Sequence, residues 1–509
     1  MSFWNIFCGP PKPDFRPKSN LKDTNSLRSI EELKIELKSE IWNVRSSAIT
    51  EISANGYKEL IPELREILRN DPFPTVQATA AIALGEFQDK ASTDNIILLI
   101  NKNAIPKDIG VDALRRMKDP KGASAIIQFL EDPDNAMRLL TVEALKEINN
   151  KSVGSKILNM AKKNKDIEKS KTYAMALGKL GVKESESYLL NLAEKSEPSP
   201  TLAAAYLALG RIKSKKSIPL LSGAIGKDFD KGRENSVQSL ISIGDTSCLP
   251  LLYPYLKNKN KEIRYSGAEV IAEIPSPGTT SILSEILNGK EKELFGASSY
   301  VAGRLKIESL RVRIENILVD TSIPEREEIG KSLGWIGNKE SIPVLIKVLN
   351  ESGGEGRYGA AWSLGILEAV EAYDDLVKAT KSSDKKLAAI SMESIGQLKL
   401  EKSISVLESA VAQDKNMALF ALSSISQIPG QKARESLHKY ILSDDPPIYR
   451  PAIEFLGKRK EKESIPFLID ILKKGNGDKN RIVISALNTI TGKKIQSTHE
   501  WIQESEKEK

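Results

Sequence analysis

The side chains best suited to chemistry are few. The 509-residue chain holds two His and two Cys, too few for most zinc sites and most His-based acid–base catalysis. His438 and His499 lie far apart and share no ligand spacing, so both read as structural or solvated groups. Cys248 reads as a buried thiol, and two cysteines make no disulfide framework. Gly353-Gly354-Glu355-Gly356 and Gly475-Asn476-Gly477 are glycine-rich, but neither follows a strand or carries the Lys-Ser/Thr pair of a phosphate loop. Both read as turns. The sequence therefore predicts no enzyme, no catalytic or metal-ligating residue and no cofactor.

Binding chemistry is better represented. Lys and Arg number 75 against 68 Asp and Glu, a net charge of +7, which is a weak excess beside the concentrated basic face of a nucleic-acid binder. Lys and Arg collect at Lys213-Ser214-Lys215-Lys216, at Lys399 and Lys402, and at Lys458-Arg459-Lys460 with Lys462. Glu340, Glu401, Glu461 and Glu463 interleave in the same kind of link, so these runs read as solvated edges rather than a phosphate-following ridge. Hydrophobic residues make up 40% and charged residues 28%, a composition that folds and excludes disordered and fibrous classes. No apolar run approaches the length of a spanning helix.

The elements that must position these residues follow from a repeat. A phrase of small residue, Leu or Ile, small residue recurs with anchors at Ile52, Leu84, Leu114, Leu145, Leu177, Leu209, Leu240, Ile271, Ala302, Leu333, Leu364, Ile395, Ile425, Leu456 and Leu487. Every step is 30, 31 or 32 residues. At Ala302 the neighbouring Val301 is expected to share the packing role. Apolar residues three places after the anchor in nearly every repeat, Arg459 being an exception, and small or apolar residues three and four places before it make one face of a helix. A Gly directly after the anchor, as at Gly303, Gly334, Gly365 and Gly396, costs about 1 kcal/mol of helix propensity relative to Ala, which implies a repeated close approach of backbones. A second apolar segment upstream often opens with Pro in its first turn, as at Pro219, Pro343 and Pro466, with Ser217, Ser341 and Ser464 as expected N-caps. Each period is then helix A, a turn, helix B and a link. Two such short helices cannot bury their apolar faces alone, so neighbours must stack.

Helix B often begins with an Arg seven places before the anchor, as at Arg45, Arg138, Arg233, Arg264, Arg326 and Arg357, after a turn rich in Asp or Asn. Together with the Ala-Leu-Gly phrase this resembles the short HEAT-like repeats of bacterial proteins, including the kind found in phycobilin lyases. The resemblance covers residues 26–491 and implies an all-α, right-handed α-solenoid of about fifteen two-helix repeats. Fold alone does not fix function. His499-Glu500 is a single pair outside the repeats and departs from the repeated His-Glu pairs that hold iron in the HEAT-like deoxyhypusine hydroxylases.

Positions six before, two before and two after each anchor form a column on helix B that points away from the core stripe, and in the resembling solenoids B helices line the concave side. In repeats 8 to 11 this column carries Tyr265, Tyr300, Trp335, Tyr358 and Trp362, with Arg304, Lys331, Glu269 and Glu327 among them. Clustered exposed aromatics suggest an anchor patch; the alternative is that the rings pack between neighbouring B helices. The expected function is a non-catalytic scaffold that holds a protein or peptide through Tyr265, Tyr300, Arg304, Lys331, Trp335, Tyr358 and Trp362. The rival readings are a tetrapyrrole- or bilin-handling, lyase-like protein and a nucleic-acid-binding solenoid.

Residues 1–25 read as a disordered lead and residues 492–509 as a C-terminal cap and tail, with Trp501 and Ile502 placed to cover the last open core. The short apolar string ending at Cys8, followed by a Pro-rich stretch, resembles the end of a bacterial lipoprotein signal whose start would lie upstream of Met1. Cys8 would then carry lipid and anchor the protein to a membrane. As written, the chain has no basic n-region and reads as cytoplasmic.

Overall fold

The computed structural model describes residues 28–474, 477–495 and 497–507; Cys8 lies outside them. Among the described residues there are thirty-one α-helices and no strand, arranged as fifteen A–B pairs and a terminal helix, Thr498–Lys507. The chain divides into two compact units after Val182. The first holds repeats 1 to 5, from Ile30–Glu36 with Trp42–Asn55 to Gly154–Lys163 with Ile167–Leu180. The second holds repeats 6 to 15, from Glu186–Lys195 with Pro200–Arg211 to Ile465–Lys473 with Gly477–Thr491. Within each unit successive B helices pack on one another and each A helix packs on its own B helix.

The anchor stripe is the core. All fifteen anchors are at most 1% exposed, and Val301 is as fully buried as Ala302. Burying a Leu or Ile side chain contributes about 1.5–3 kcal/mol, so the stripe supplies a large and evenly distributed share of the stability. Arg459, a polar exception three places after an anchor, donates to Ser426 O at 2.9 Å and Ile428 O at 2.6 Å. Its guanidinium thus satisfies carbonyls at the end of the preceding B helix.

The glycines after the anchors form a seam between B helices. A Cβ on Gly303 would lie 2.7 Å from Ser332 Cα, and one on Gly365 would lie 2.8 Å from Ser394 Cα. Small residues one place before the next anchor meet them, and their hydroxyls cross the seam: Ser363 Oγ donates to Gly330 O and Ser394 Oγ to Ala361 O, both at 2.8 Å.

In the repeats that have it, the recurring Arg turns the corner between helix A and helix B. Arg264 Nη1 donates to Asn258 O and Lys259 O at 3.0 Å, Arg326 Nε to Leu318 O at 2.8 Å and Arg357 Nε to Leu349 O at 3.0 Å. These carbonyls lie at or just beyond the C-terminus of the same repeat's helix A, where they have no intrahelical donor and where a cation is favoured.

The expected serine caps are not formed. Ser217, Ser341 and Ser464 close a short 3-10 turn before helix A, are fully buried and make no side-chain cap bond. Their backbone is already helical, so the hydroxyls cannot reach back over the first turn. They bond sideways instead, Ser217 to Ser214 O at 2.7 Å, Ser341 to Glu315 Oε1 at 2.6 Å and Ser464 to His438 Nε2 at 2.9 Å. In the terminal helix, Trp501 is buried and the helix packs on helix A of repeat 15.

Candidate functional site

The face of the second unit formed by helix B of repeats 8 to 11 (Lys261–Glu273, Phe295–Arg304, Arg326–Ile336 and Gly356–Ile366) carries the predicted column. Four of its five rings touch in sequence. Tyr265 and Tyr300 have centroids 6.1 Å apart, Tyr300 and Trp335 meet edge to face at 5.5 Å, and Trp335 and Trp362 meet edge to face at 5.5 Å. These separations suit the quadrupole preference of aromatic pairs, worth about 0.5–1.5 kcal/mol each beyond area. All four rings are half-buried: they pack against one another across the B–B seams and leave part of each ring in solvent. The rings thus take the packing alternative, with part of each still open. Neither indole N–H of Trp335 or Trp362 bonds a described residue.

Close backbone approach makes this ladder possible. A Cβ on Gly359 would lie 3.0 Å from Gly330 Cα, so repeats 10 and 11 converge near their B-helix N-termini. Ile366, two places after the anchor of repeat 11, adds exposed apolar surface.

The remaining predicted residues flank the ladder. Arg304 is exposed, sits 6.0 Å from the Tyr300 centroid and pairs with Glu273. Lys331 pairs with Glu327 at 2.8 Å and Glu328 at 3.1 Å; burial opposes its charge, but these carboxylates outweigh that and hold its pKa above the ordinary lysine value. Tyr358 is not part of the ring chain. Its hydroxyl donates to Asp384 Oδ2 at 2.6 Å and Lys386 lies 4.3 Å from its centroid. The Asp384 bond, with burial, pushes the phenol up to about 12.

One functional support was not visible in the sequence. Glu325, which precedes helix B of repeat 10 in a left-handed conformation at φ 61°, reaches over repeat 9 into repeat 8. Its carboxylate accepts from Arg264 Nη2 at 3.0 Å and from the Tyr265 hydroxyl at 2.8 Å. Burial, then the Glu325 charge, keeps the Tyr265 phenol neutral far above its usual range. Gly296 in repeat 9 leaves the space: a Cβ there would clash with Glu325 Oε2 and lie 2.7 Å from Glu325 Cβ and 2.8 Å from the Tyr265 hydroxyl oxygen. On the other side Lys386 of repeat 12 bonds Glu327 of repeat 10 at 2.5 Å, again skipping a repeat.

The other chemistry-bearing residues have local roles. His438 stacks on Phe467 at 3.9 Å. Cys248 is buried, and desolvation pushes its thiol up to about 11. No cluster of three His, Cys, Asp or Glu suited to a metal occurs among the described residues. Three lysines of the Lys-rich links pair with acidic residues of adjoining segments, Lys215 2.7 Å from Asp245, Lys216 3.1 Å from Glu186 and Lys399 2.8 Å from Glu368. A cleft of about 350 Å³ between repeats 6 and 7, lined in part by Tyr206, Lys227 and Phe229, is at the small end for a ligand site. No described helix is long and apolar enough to cross a membrane.

Fifteen A–B hairpins, six of them with the recurring corner arginine and many with a glycine seam, define a helical-repeat protein. The HEAT-repeat family profile matches residues 30–106, 154–241, 310–396 and 400–488, more than half of the chain, and the chain belongs to that family. No curated protein matches it in sequence. Solved structures similar in fold include Kap95p in its complex with RanGDP and Kap95p with Nup1, each 12% identical, covering 90% of this chain and 81% of that one with a TM-score of 0.50. A Kap121p mutant is 12% identical with a TM-score of 0.41 and covers 95% of this chain; the chain spans 63% of that protein's length. These likenesses concern the fold.

Proposed function

We propose that the protein is a non-catalytic scaffold that holds a protein or peptide segment on the aromatic face of repeats 8 to 11. The observation that carries this reading is the ladder of Tyr265, Tyr300, Trp335 and Trp362, held by the buried stripe behind it and half open to solvent in front. Rigid aromatic rings bury much area at little entropic cost and dominate interface hot spots. Charge is a poorer carrier, since Lys215, Lys216 and Lys399 of the Lys-rich links are already engaged in intramolecular pairs. The test is capture of partners from native lysate by the wild-type protein, Trp362→Ala and Lys216→Ala. Trp362→Ala should lose the partner with a weakening of about 1–3 kcal/mol, while Lys216→Ala should retain it. Partner loss in the Lys216 variant alone would replace this reading with an acidic or nucleic-acid partner.

A further inference from the structure

The charge left over around the ladder identifies what it would hold. The cations beside the rings already have carboxylates, Arg304 with Glu273, Lys331 with Glu327 and Glu328, Lys386 with Glu327, and Lys261 at 3.5 Å from Glu325, while Arg357 is turned onto the Leu349 carbonyl. Two carboxylates do not have a cation. Glu269 of repeat 8 and Glu393 of repeat 12 take the position two before the anchor, the same position that carries Tyr300 and Trp362 in the repeats between. Both are half-buried, and neither pairs or bonds with a described side chain. They therefore bracket the ring ladder in one column. Burial pushes the Glu393 carboxyl above its usual range, so this oxygen pair is short of solvation that a cation would restore. Beside it, Gln397 Oε1 is buried without a donor, a second acceptor unsatisfied at the same end.

We propose that the occupant of the ladder is an extended, basic peptide segment whose Lys or Arg side chains lie over the rings and reach Glu269 at one end and Glu393 at the other. This rests on the reading of the ladder as a binding face. Cations are attracted to the faces of Tyr and Trp rings, and negative flanks raise the local concentration of such a segment and fix its register. Three ring steps of 5.5 to 6.1 Å match about five residues of extended chain at roughly 3.3–3.6 Å each. The unpaired indole N–H groups of Trp335 and Trp362 are donors suited to the carbonyls of that chain.

The experiment uses the full-length protein and fluorescein-labelled, end-capped peptides of alternating Leu and Lys, alternating Leu and Gln, and alternating Leu and Glu, read by anisotropy. The Lys peptide should bind at least about tenfold more tightly than the Gln peptide, with the difference shrinking as salt rises. Glu393→Gln and Glu269→Gln should each remove much of that preference without shifting the melting curve, and Trp362→Ala should weaken both peptides. Equal binding of Lys and Gln peptides that Trp362→Ala still abolishes would overturn the basic-segment inference and leave the ladder reading standing. Preference for the Glu peptide would overturn it as well. Binding of any peptide that ignores Trp362→Ala, or binding of none, would remove the ladder as the site and the inference with it.

Discussion

Gly296→Ala sets two physical effects against each other with opposite signs. Gly296 lies in the first turn of helix B in repeat 9, and helix propensity alone makes Ala there more stable by up to about 1 kcal/mol. The geometry predicts the reverse. The added methyl would clash with Glu325 Oε2 and lie 2.7 Å from Glu325 Cβ, so the Glu325 side chain must leave its place over repeat 9. That side chain is 9% exposed and its partner Arg264 is 4% exposed, so its departure leaves a buried guanidinium short of its carboxylate. Breaking a buried pair on one side costs about 3–5 kcal/mol; Arg264 keeps its bonds to Asn258 O and Lys259 O, and the propensity gain offsets part of the rest. The expected net is a local destabilisation of about 2–4 kcal/mol, or roughly thirty- to several-hundred-fold faster amide exchange in repeats 8 to 10 at about 1.4 kcal/mol per tenfold. The decisive control is Glu325→Gly, which removes both Oε2 and Cβ at a position whose left-handed φ of 61° suits glycine. In that background only the Tyr265 hydroxyl at 2.8 Å still faces the added methyl, so most of the cost of Gly296→Ala should disappear, a strong non-additivity of the kind expected for groups in contact. Equal effects of Gly296→Ala in both backgrounds would refute the argument that Gly296 exists to let Glu325 pass.

Other outcomes follow from single contacts. Leu333→Ala removes a fully buried anchor and should cost about 2–5 kcal/mol, with faster exchange centred on residues 310 to 365; loss of protection spread evenly over all repeats would count against a nearest-neighbour array. Trp335 has two ring partners and Trp362 one, so Trp335→Ala should lower stability by more than Trp362→Ala, about 1–3 kcal/mol against about 0.5–1.5 kcal/mol for the stacking alone; equal melting of both variants would mean the ladder contacts are not additive as described. Desolvation first, then the Arg434 charge, lowers the His438 pKa below 6.5 against the opposing pull of Glu461 and Glu435. The unfolded chain thus binds this proton more readily, and the stability it contributes is full above pH 6.5 and is lost as pH falls below that value. Exchange in repeats 14 and 15 should quicken on acidification toward about pH 5, less so in His438→Phe; identical acid sensitivity in both proteins would assign the effect elsewhere.

What the sequence made legible was whatever the period repeats. The anchors, the glycine seam and the aromatic column all recur at fixed offsets, and a helix converts a fixed offset into a fixed direction, so Leu333, Gly365 and Trp335 could be placed before any coordinates. The recurring Arg was legible as a position but not as a role, because the carbonyls that it caps belong to a helix whose end the period does not mark. The serine caps failed for a related reason: Ser217 precedes a proline helix start, which looks like a cap site, yet a 3-10 turn has already committed its backbone. Glu325 was hidden altogether. It sits outside the column, its partners Arg264 and Tyr265 are two repeats away, and Gly296, which gives it passage, resembles any other small residue in a helix.

That hidden contact changes how the candidate site must behave. A solenoid held only by neighbouring repeats responds to strain one repeat at a time, and a ladder built on such a support could splay at each seam. Here Glu325 ties repeat 10 to repeat 8, and Lys386 ties repeat 12 to repeat 10 through Glu327. The ties overlap at repeat 10, the repeat that carries Trp335, the ring with contacts on both sides. Four rings on four helices are therefore referenced to a common point rather than chained from one neighbour to the next. A ligand that bridges Tyr265 and Trp362 meets a surface with less freedom to lose on binding, and preorganisation of this kind converts more of the contact energy into affinity. The physical reason to look for the proposed partner here, and not on another stretch of the same repeating surface, is that the cross-repeat ties, which run from repeat 8 to repeat 12, enclose the four repeats that carry the rings.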